Sequence, residues 1–255
     1  MKYVLITGAT SGIGLALARV FARKGFNIVM VSSSEKHLVR ARRSINERFE
    51  NISTEIIVQD LSVAGAAKRV YNKVSEMGIR IDILVNNAGY GLIGSSESID
   101  MDKDEKMLYL NMITPTCLCK LFLKEMYKRG SGKILNIAST ASFQPGPYNS
   151  TYFASKSYLY SYSRAIRYEA KERGVQVCTL CPGTTGTRFF QKEGINTPIW
   201  AMSVGKVAEY AVEGLENNKE VIIPGTWNKI FRIIPSTIKL KIISVMKSKG
   251  QEMAG

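Results

Sequence analysis

Short apolar runs and longer stretches of mixed polar and apolar residues alternate along this chain as far as about residue 223. The apolar runs are Tyr3–Thr7, Asn27–Val31, Glu55–Gln59, Ile81–Asn86, Lys133–Ala138, Val175–Cys181 and Glu220–Ile223. Several, such as ILVNN and KILNIA, are apolar on successive positions rather than on alternate ones. A strand with one wet face would alternate, so these runs predict strands covered on both faces. The segments between them, near 12–25, 35–49, 63–77, 103–129, 151–173 and 204–217, carry apolar residues at helical spacing. Strand–helix alternation of this kind predicts an α/β fold: a doubly wound parallel sheet of about seven strands with helices on both faces. No linker rich in Gly, Pro or Ser and no internal repeat divides the chain, so one domain is expected over residues 1–225, followed by an extension at 226–255.

Composition narrows the class. Of the 255 residues, 45% are hydrophobic and 22% charged, enough to fill a core and too apolar for a disordered chain. The sequence starts MKYVLITG, so a strand-like run begins where a cleavable signal would need its apolar stretch. No window reaches about 18 consecutive apolar residues, the length a spanning helix requires. A cytoplasmic location is the resulting expectation. Of the four cysteines, Cys117 and Cys119 fall in a helical segment and Cys178 and Cys181 in a strand-like run. Positions three apart on a strand face opposite sides, and no second pair stands at metal spacing. Core filling is therefore expected, with thiol chemistry the alternative, and no metal site is expected. The formal charge of +14 suits nucleic acid, an anionic membrane or an acidic ligand. Lys and Arg are spread along the chain with no nucleic-acid motif, which favours a solvated basic surface suited to a phosphate-bearing cofactor and predicts no nucleic-acid partner.

The candidate chemistry starts at the end of the first run. TGATSGIG places Gly8, Gly12 and Gly14, with Thr10, Ser11 and Ile13 between them, directly before a helical segment. Glycines there permit a tight turn and a close backbone approach to pyrophosphate, held at a helix N-terminus by free N–H groups. Further along come Asn86-Asn87-Ala88-Gly89, then Asn111 within a long helix candidate, and Ser139 after the fifth run. Tyr152-Phe153-Ala154-Ser155-Lys156 follows, and Pro182-Gly183-Thr184 with Thr187 closes the sixth run. Tyr152 and Lys156, four apart, share a helix face. A neighbouring cation favours phenolate and draws the tyrosine from its ordinary pKa of about 10 toward the range useful for acid–base work. No other tyrosine in the chain has a lysine four residues on.

This ordered set resembles the short-chain dehydrogenase/reductase family, whose glycine turn reads T-G-x-x-x-G-x-G, and the resemblance covers nearly the whole chain to about residue 225. It implies a Rossmann-type fold and interconversion of a carbonyl and a secondary alcohol. By that resemblance Ser139 hydrogen-bonds the substrate oxygen, Tyr152 exchanges a proton with it, and Lys156 also holds the nicotinamide ribose. Asn111 positions a water for proton relay; taken alone, it could be only a helix-bending polar residue. The cofactor would lie along Gly8, Thr10, Ser11, Gly12, Ile13 and Gly14, with Asn87, Ala88, Gly89, Tyr152, Lys156, Pro182, Gly183, Thr184 and Thr187 completing its site. Asp60 resembles the family's adenine-contacting aspartate, beside Leu61, and a strand-end or capping aspartate is the alternative. PGTTGTRFF resembles the branch of 3-oxoacyl and hydroxysteroid reductases, so the expected partner is a small-molecule carbonyl or alcohol, apolar or acyl in type. Homo-oligomers, dimers or tetramers, are common in the family, and segments 103–129 and 151–173 resemble its usual contact surface.

The end of the second run sets cofactor choice. An acidic residue there binds ribose hydroxyls and repels a 2′-phosphate. Ser32, Ser33 and Ser34, followed by Lys36, favour NADP(H) over NAD(H), although the arginine or basic residue that many NADP(H)-using members carry is missing. Residues 184–203 follow the sixth strand, at the edge where α/β sheets bind ligands. They are expected to cover the site as a lid, with Phe189, Phe190, Ile195, Ile199 and Trp200 toward a pocket. After residue 225 the sequence mixes Ile and Phe with Lys and Arg, and Pro235 is expected to split it into two short helices. A basic amphipathic extension suits peripheral membrane contact through 226–249, a pocket wall or a subunit contact. A non-catalytic NADP(H)-binding sensor or a membrane-associated scaffold is the alternative to an enzyme.

Overall fold

A computed structural model describes residues 1–187, 201–235 and 237–240. The strands are β1 (Tyr3–Thr7), β2 (Asn27–Ser32), β3 (Thr54–Val58), β4 (Ile81–Asn86), β5 (Gly132–Ile137), β6 (Val175–Leu180) and β7 (Val221–Ile222). They form one parallel sheet in the order β3-β2-β1-β4-β5-β6-β7. The expected strands are all present, with ends differing by a residue or so.

Successive apolar residues divide between two cores, as a doubly covered strand requires. Val4 and Ile6 of β1 join Ile28, Met30, Val85 and Leu180 on one face, under α1 (Gly12–Arg23), α2 (Glu35–Asn46) and a later helix, Val204–Glu216. Leu5 points the other way, with Val29, Val31, Leu84 and Val177, under α3 (Ala66–Glu76) and two long helices described next. The chain therefore belongs to the Rossmann-like class, in one domain.

The segment expected as one helix over 103–129 is three. α4 (Met101–Leu108) passes into a π-helical turn, Tyr109–Ile113, and then into α5 (Thr114–Lys128). Pro115 supplies a reason. It has no N–H to give, and its ring crowds the carbonyl four residues back, that of Asn111. A wider turn accommodates both, and such turns cluster at functional sites. Beyond β5 come a 3₁₀ turn (Thr140–Phe143), α6 (Ser150–Lys171), α7 (Val204–Glu216) and α8 (Thr226–Ile233). Helix α8 ends before Pro235 and residues 237–240 are again helical; the remainder of the expected second helix lies outside the described residues.

The strand order reverses between β1 and β4, which opens a crevice beyond their carboxyl ends. The motif residues lie there. Among the described residues no helix is long and apolar enough to cross a membrane.

Candidate active site

β1 ends at Thr7, and the Gly8 N–H donates to the Val31 carbonyl (2.8 Å), fixing the glycine turn onto β2. α1 then starts at Gly12, with Ser11 as its extended N-cap and no acidic residue in its first turn. A β-carbon on Gly14 would stand 2.5 Å from Asn87 Nδ2 and closer still to the Gly8 carbonyl oxygen, so only glycine fits. Asn87 Nδ2 donates to the carbonyls of Thr7 (2.8 Å) and Gly8 (3.2 Å). Thr7 Oγ1 in turn accepts from the N–H groups of Asn87 (2.9 Å) and Ala88 (3.0 Å). The Asn87 side chain thus braces the turn from behind. Thr10 is half-buried within the turn, while Ile13 packs on the core beneath it. Thr187 approaches from the opposite side, its methyl 3.2 Å from where a β-carbon on Gly12 would be.

The three serines after β2 differ in situation. Ser32 pairs with Val58, Ser33 is exposed, and Ser34 caps α2, its Oγ accepting from the His37 N–H (3.4 Å). Asp60 is exposed, and its Oδ1 accepts from the backbone (2.9 Å) and hydroxyl (2.7 Å) of Ser62. Leu61 is buried, and its carbonyl accepts from Thr114 Oγ1 (2.7 Å), which ties this loop to the π turn.

Two of the residues expected to carry proton chemistry, Asn111 and Lys156, converge on Gly89. A β-carbon there would stand 2.9 Å from Asn111 Oδ1 and 3.1 Å from Lys156 Nζ. Asn111 is buried in the π turn, and Nδ2 donates to the Tyr90 carbonyl (2.9 Å) and Ser155 Oγ (3.1 Å) while Oδ1 accepts from the Tyr90 N–H (3.3 Å). Ser155 Oγ passes its own hydrogen to the Tyr152 carbonyl (2.7 Å). Lys156 is 5% exposed; its Nζ donates to the Ile137 carbonyl (3.0 Å) and lies 5.9 Å from the Tyr152 ring centroid. Burial pulls its pKa down from 10.5 to about 8, against a smaller opposing effect of Cys181. Ser139 caps the 3₁₀ turn, its Oγ accepting from the Ala141 N–H (3.1 Å). Ser142 Oγ donates to the Lys156 carbonyl (2.9 Å), so that turn also grips α6.

Beyond β6, Pro182 is buried and its carbonyl accepts from the Thr140 N–H (3.0 Å). Gly183 lies under Asn228 of α8; a β-carbon on it would stand 2.5 Å from Asn228 Nδ2. The Thr184 carbonyl accepts from the Met202 N–H and the Gly186 N–H donates to the Met202 carbonyl, both at 3.0 Å. Phe189, Phe190, Ile195, Ile199 and Trp200, expected over a pocket, lie outside the described residues. The Arg232 guanidinium sits 5.2 Å from the Phe143 ring centroid and donates to Tyr160 Oη (3.1 Å). The inner side of α8 thereby walls the turn that starts at Ser139.

All four thiols are free, and burial pushes Cys119 and Cys181 up to about 12, as core residues. Sequence reasoning passed over Thr7, Tyr90, Ser142 and Ser155, which position the motif residues. Tyr90 acts through its backbone and left no trace in side-chain chemistry. Ser155 lies inside the Tyr152–Lys156 motif and was legible there.

A glycine turn opening a helix at the sheet's switch point, with a buried lysine and a tyrosine one helical turn apart beside it, fits a dinucleotide and proton exchange. That is the class of nicotinamide-dependent oxidoreductases. The family model described as short chain dehydrogenase matches residues 2–197, and the chain belongs to that family, oxidoreductases that act on alcohol and ketone groups and bind a nicotinamide cofactor. It is similar to Hydroxysteroid dehydrogenase-like protein 1 of Gallus gallus, 31% identical across 89% of this chain and 68% of that protein. It is also similar to the Very-long-chain 3-oxoacyl-CoA reductase of Anas platyrhynchos, 29% identical across 98% of this chain and 80% of that one. Among solved structures, a short-chain dehydrogenase from Sphingobium yanoikuyae in complex with NADPH has a TM-score of 0.84 and 28% identity, covering 90% of this chain and 92% of its own.

Proposed function

We propose that the protein is an NADP(H)-dependent reductase of apolar or acyl-type ketones. The observation that carries this reading is the convergence of Asn111 and Lys156 on Gly89, with Tyr152 one turn from Lys156 on α6. A bound nicotinamide supplies or takes the hydride. Ser139 Oγ already accepts from Ala141, so its own hydrogen is free to donate to the substrate oxygen. Tyr152 gives its phenolic proton to that oxygen on reduction and recovers it on oxidation. Lys156 has three N–H donors and uses one on Ile137, leaving two for a ribose and for the proton path. Its charge, present below about pH 8, favours the tyrosinate, and that help fades as pH rises through this value. Asn111 is held by Tyr90 and Ser155 at the point where a relay water would stand.

Ser33, exposed at the end of β2 near Lys36, favours a 2′-phosphate, although Glu35 sits in the same turn. Asp60, Leu61, Ala88, Thr184 and Thr187 would complete the cofactor's surroundings. The names of the Gallus and Anas relatives support steroid-like or 3-oxoacyl substrates, and Phe143 and Tyr160, edge to face at 5.4 Å, suit an apolar one. The catalytic unit is residues 1–225, followed by an extension at 226–255, and the protein works as a homo-oligomer through α4, α5 and α6.

The test is titration with NADPH and NADH, then the nicotinamide absorbance against 3-oxoacyl esters, steroids, retinoids and diketones. Turnover that disappears in Tyr152→Phe supports the reductase reading. Binding of neither cofactor overturns it, and equal turnover in Tyr152→Phe removes Tyr152 from its role.

A further inference from the structure

Helix α8 has two unlike sides. Asn228 meets Gly183, and Arg232 reaches Phe143 and Tyr160, so this side faces the body of the protein. On the other side Trp227, Ile230 and Ile233 recur every three residues and are 83%, 47% and 82% exposed. Ile238, in the helical turn after Pro235, is 51% exposed. Among the described residues nothing covers this tryptophan and these three isoleucines. The surrounding sequence is one-signed: residues 226–250 contain Lys229, Arg232, Lys239, Lys241, Lys247 and Lys249 and no Asp or Glu, although Lys239 is turned inward, 2% exposed and donating to the Phe143 carbonyl (3.1 Å). Lys229 is exposed along the edge of the apolar stripe.

We propose that this face is a membrane-contact surface that rests on an anionic bilayer. Trp227, Ile230 and Ile233 enter the boundary between headgroups and acyl chains, Lys229 beside them meets lipid phosphate, and the one-signed charge of the surrounding sequence adds longer-range attraction. A short apolar stripe alone binds lipid weakly, and a cluster of cations alone binds only the surface; the two together make a stable contact. A second copy of the chain is a poorer occupant. Face-to-face pairing about a two-fold axis would set one all-cationic segment against another with no acidic residue to offset them. The contact does not depend on the catalytic reading. It does place lipid beside the turn that begins at Ser139, and so beside the substrate if the reductase reading holds.

The test uses the full chain carrying Trp200→Phe, which leaves Trp227 as the only tryptophan. Phosphatidylcholine vesicles with and without phosphatidylserine are added. The expected result is a blue shift of Trp227 emission and co-sedimentation with the phosphatidylserine vesicles. Both should weaken about tenfold on neutral vesicles or at high salt. Trp227→Ser with Ile233→Ser, in the otherwise unchanged chain, should lower co-sedimentation about tenfold or more. Circular dichroism melts confirm that these surface variants fold. No shift and no pelleting overturns the proposal, as does undiminished pelleting of the double variant. A blue shift that grows with protein concentration without lipid, together with a dimer by sedimentation that the double variant loses, assigns the face to a second copy instead.

Discussion

Lys156 gives a test that separates the chemistry of the site from the stability of the fold. Its ammonium is buried, with a pKa of about 8 against 10.5 for the free group. Because the folded value is the lower one, the unfolded chain holds more protons between those two values, and stability rises with pH across that window. Below about pH 8 the full cost is present, about 3 kcal/mol at pH 7. Lys156→Met keeps most of the stem and removes the charge. It also deletes the bond to the Ile137 carbonyl, a pH-independent loss of about 1 kcal/mol. The cofactor-free variant should therefore be inactive yet more stable at pH 7 by about 2 kcal/mol, about 5 °C in melting temperature for a chain of this size. From pH 7 to 9.5 the difference between variant and parent should change by about 2 kcal/mol to the parent's advantage. Other tyrosines, lysines and thiols titrate in both proteins and cancel in the comparison. Urea unfolding of both proteins at the two pH values is the assay. A stability difference that stays constant over this range would refute the reasoning, because Lys156 would then have no depressed pKa.

Three further outcomes follow from the same geometry. Gly14→Ala sets a β-carbon against the Gly8 carbonyl and Asn87 amide, and should weaken NADPH binding by about 100-fold, read by quenching of protein fluorescence; an unchanged affinity would show that the turn does not hold the cofactor. Ser155→Ala takes a hydrogen-bond partner from the buried Asn111 amide, and should cost about 1–3 kcal/mol in urea melts along with part of kcat. A loss below about 0.5 kcal/mol would mean that Asn111 is held by Tyr90 alone. A disulfide thiol reagent should label Cys117 slowly and leave Cys119 and Cys181 untouched until the protein unfolds, since burial keeps the latter two thiols protonated.

The layout of the sheet was legible because its strands are covered on both faces, so their apolar runs stand out from the amphipathic helices between them. The motif residues were legible because Gly14, Tyr152 and Lys156 answer to local spacing. The π turn was not. Helical periodicity runs unbroken through 103–129, and the extra width at Tyr109–Ile113 meets a demand from elsewhere, the Tyr90 backbone that Asn111 must reach. Pro115 was the local clue, and its effect falls four residues upstream of itself. The fate of α8 was half legible: amphipathicity marks two sides, but only the fold shows that Gly183 receives Asn228 and that the tryptophan is left outside.

The pairing of Thr184 and Gly186 with Met202 has a bearing on how such an enzyme diversifies. The chain passes Thr184 and returns beside it at Met202, so backbone hydrogen bonds join the two ends of the intervening stretch. Between two fixed ends, doubling the length of a loop costs only about 0.6 kcal/mol in closure entropy. Changes of length or sequence within 188–200 leave Thr184, Gly186 and Met202 in place to pair. Transplanting a relative's segment between Thr187 and Ala201 is thereby a natural route to altered selectivity, because the hydrogen bonds that close its two ends come from residues outside it.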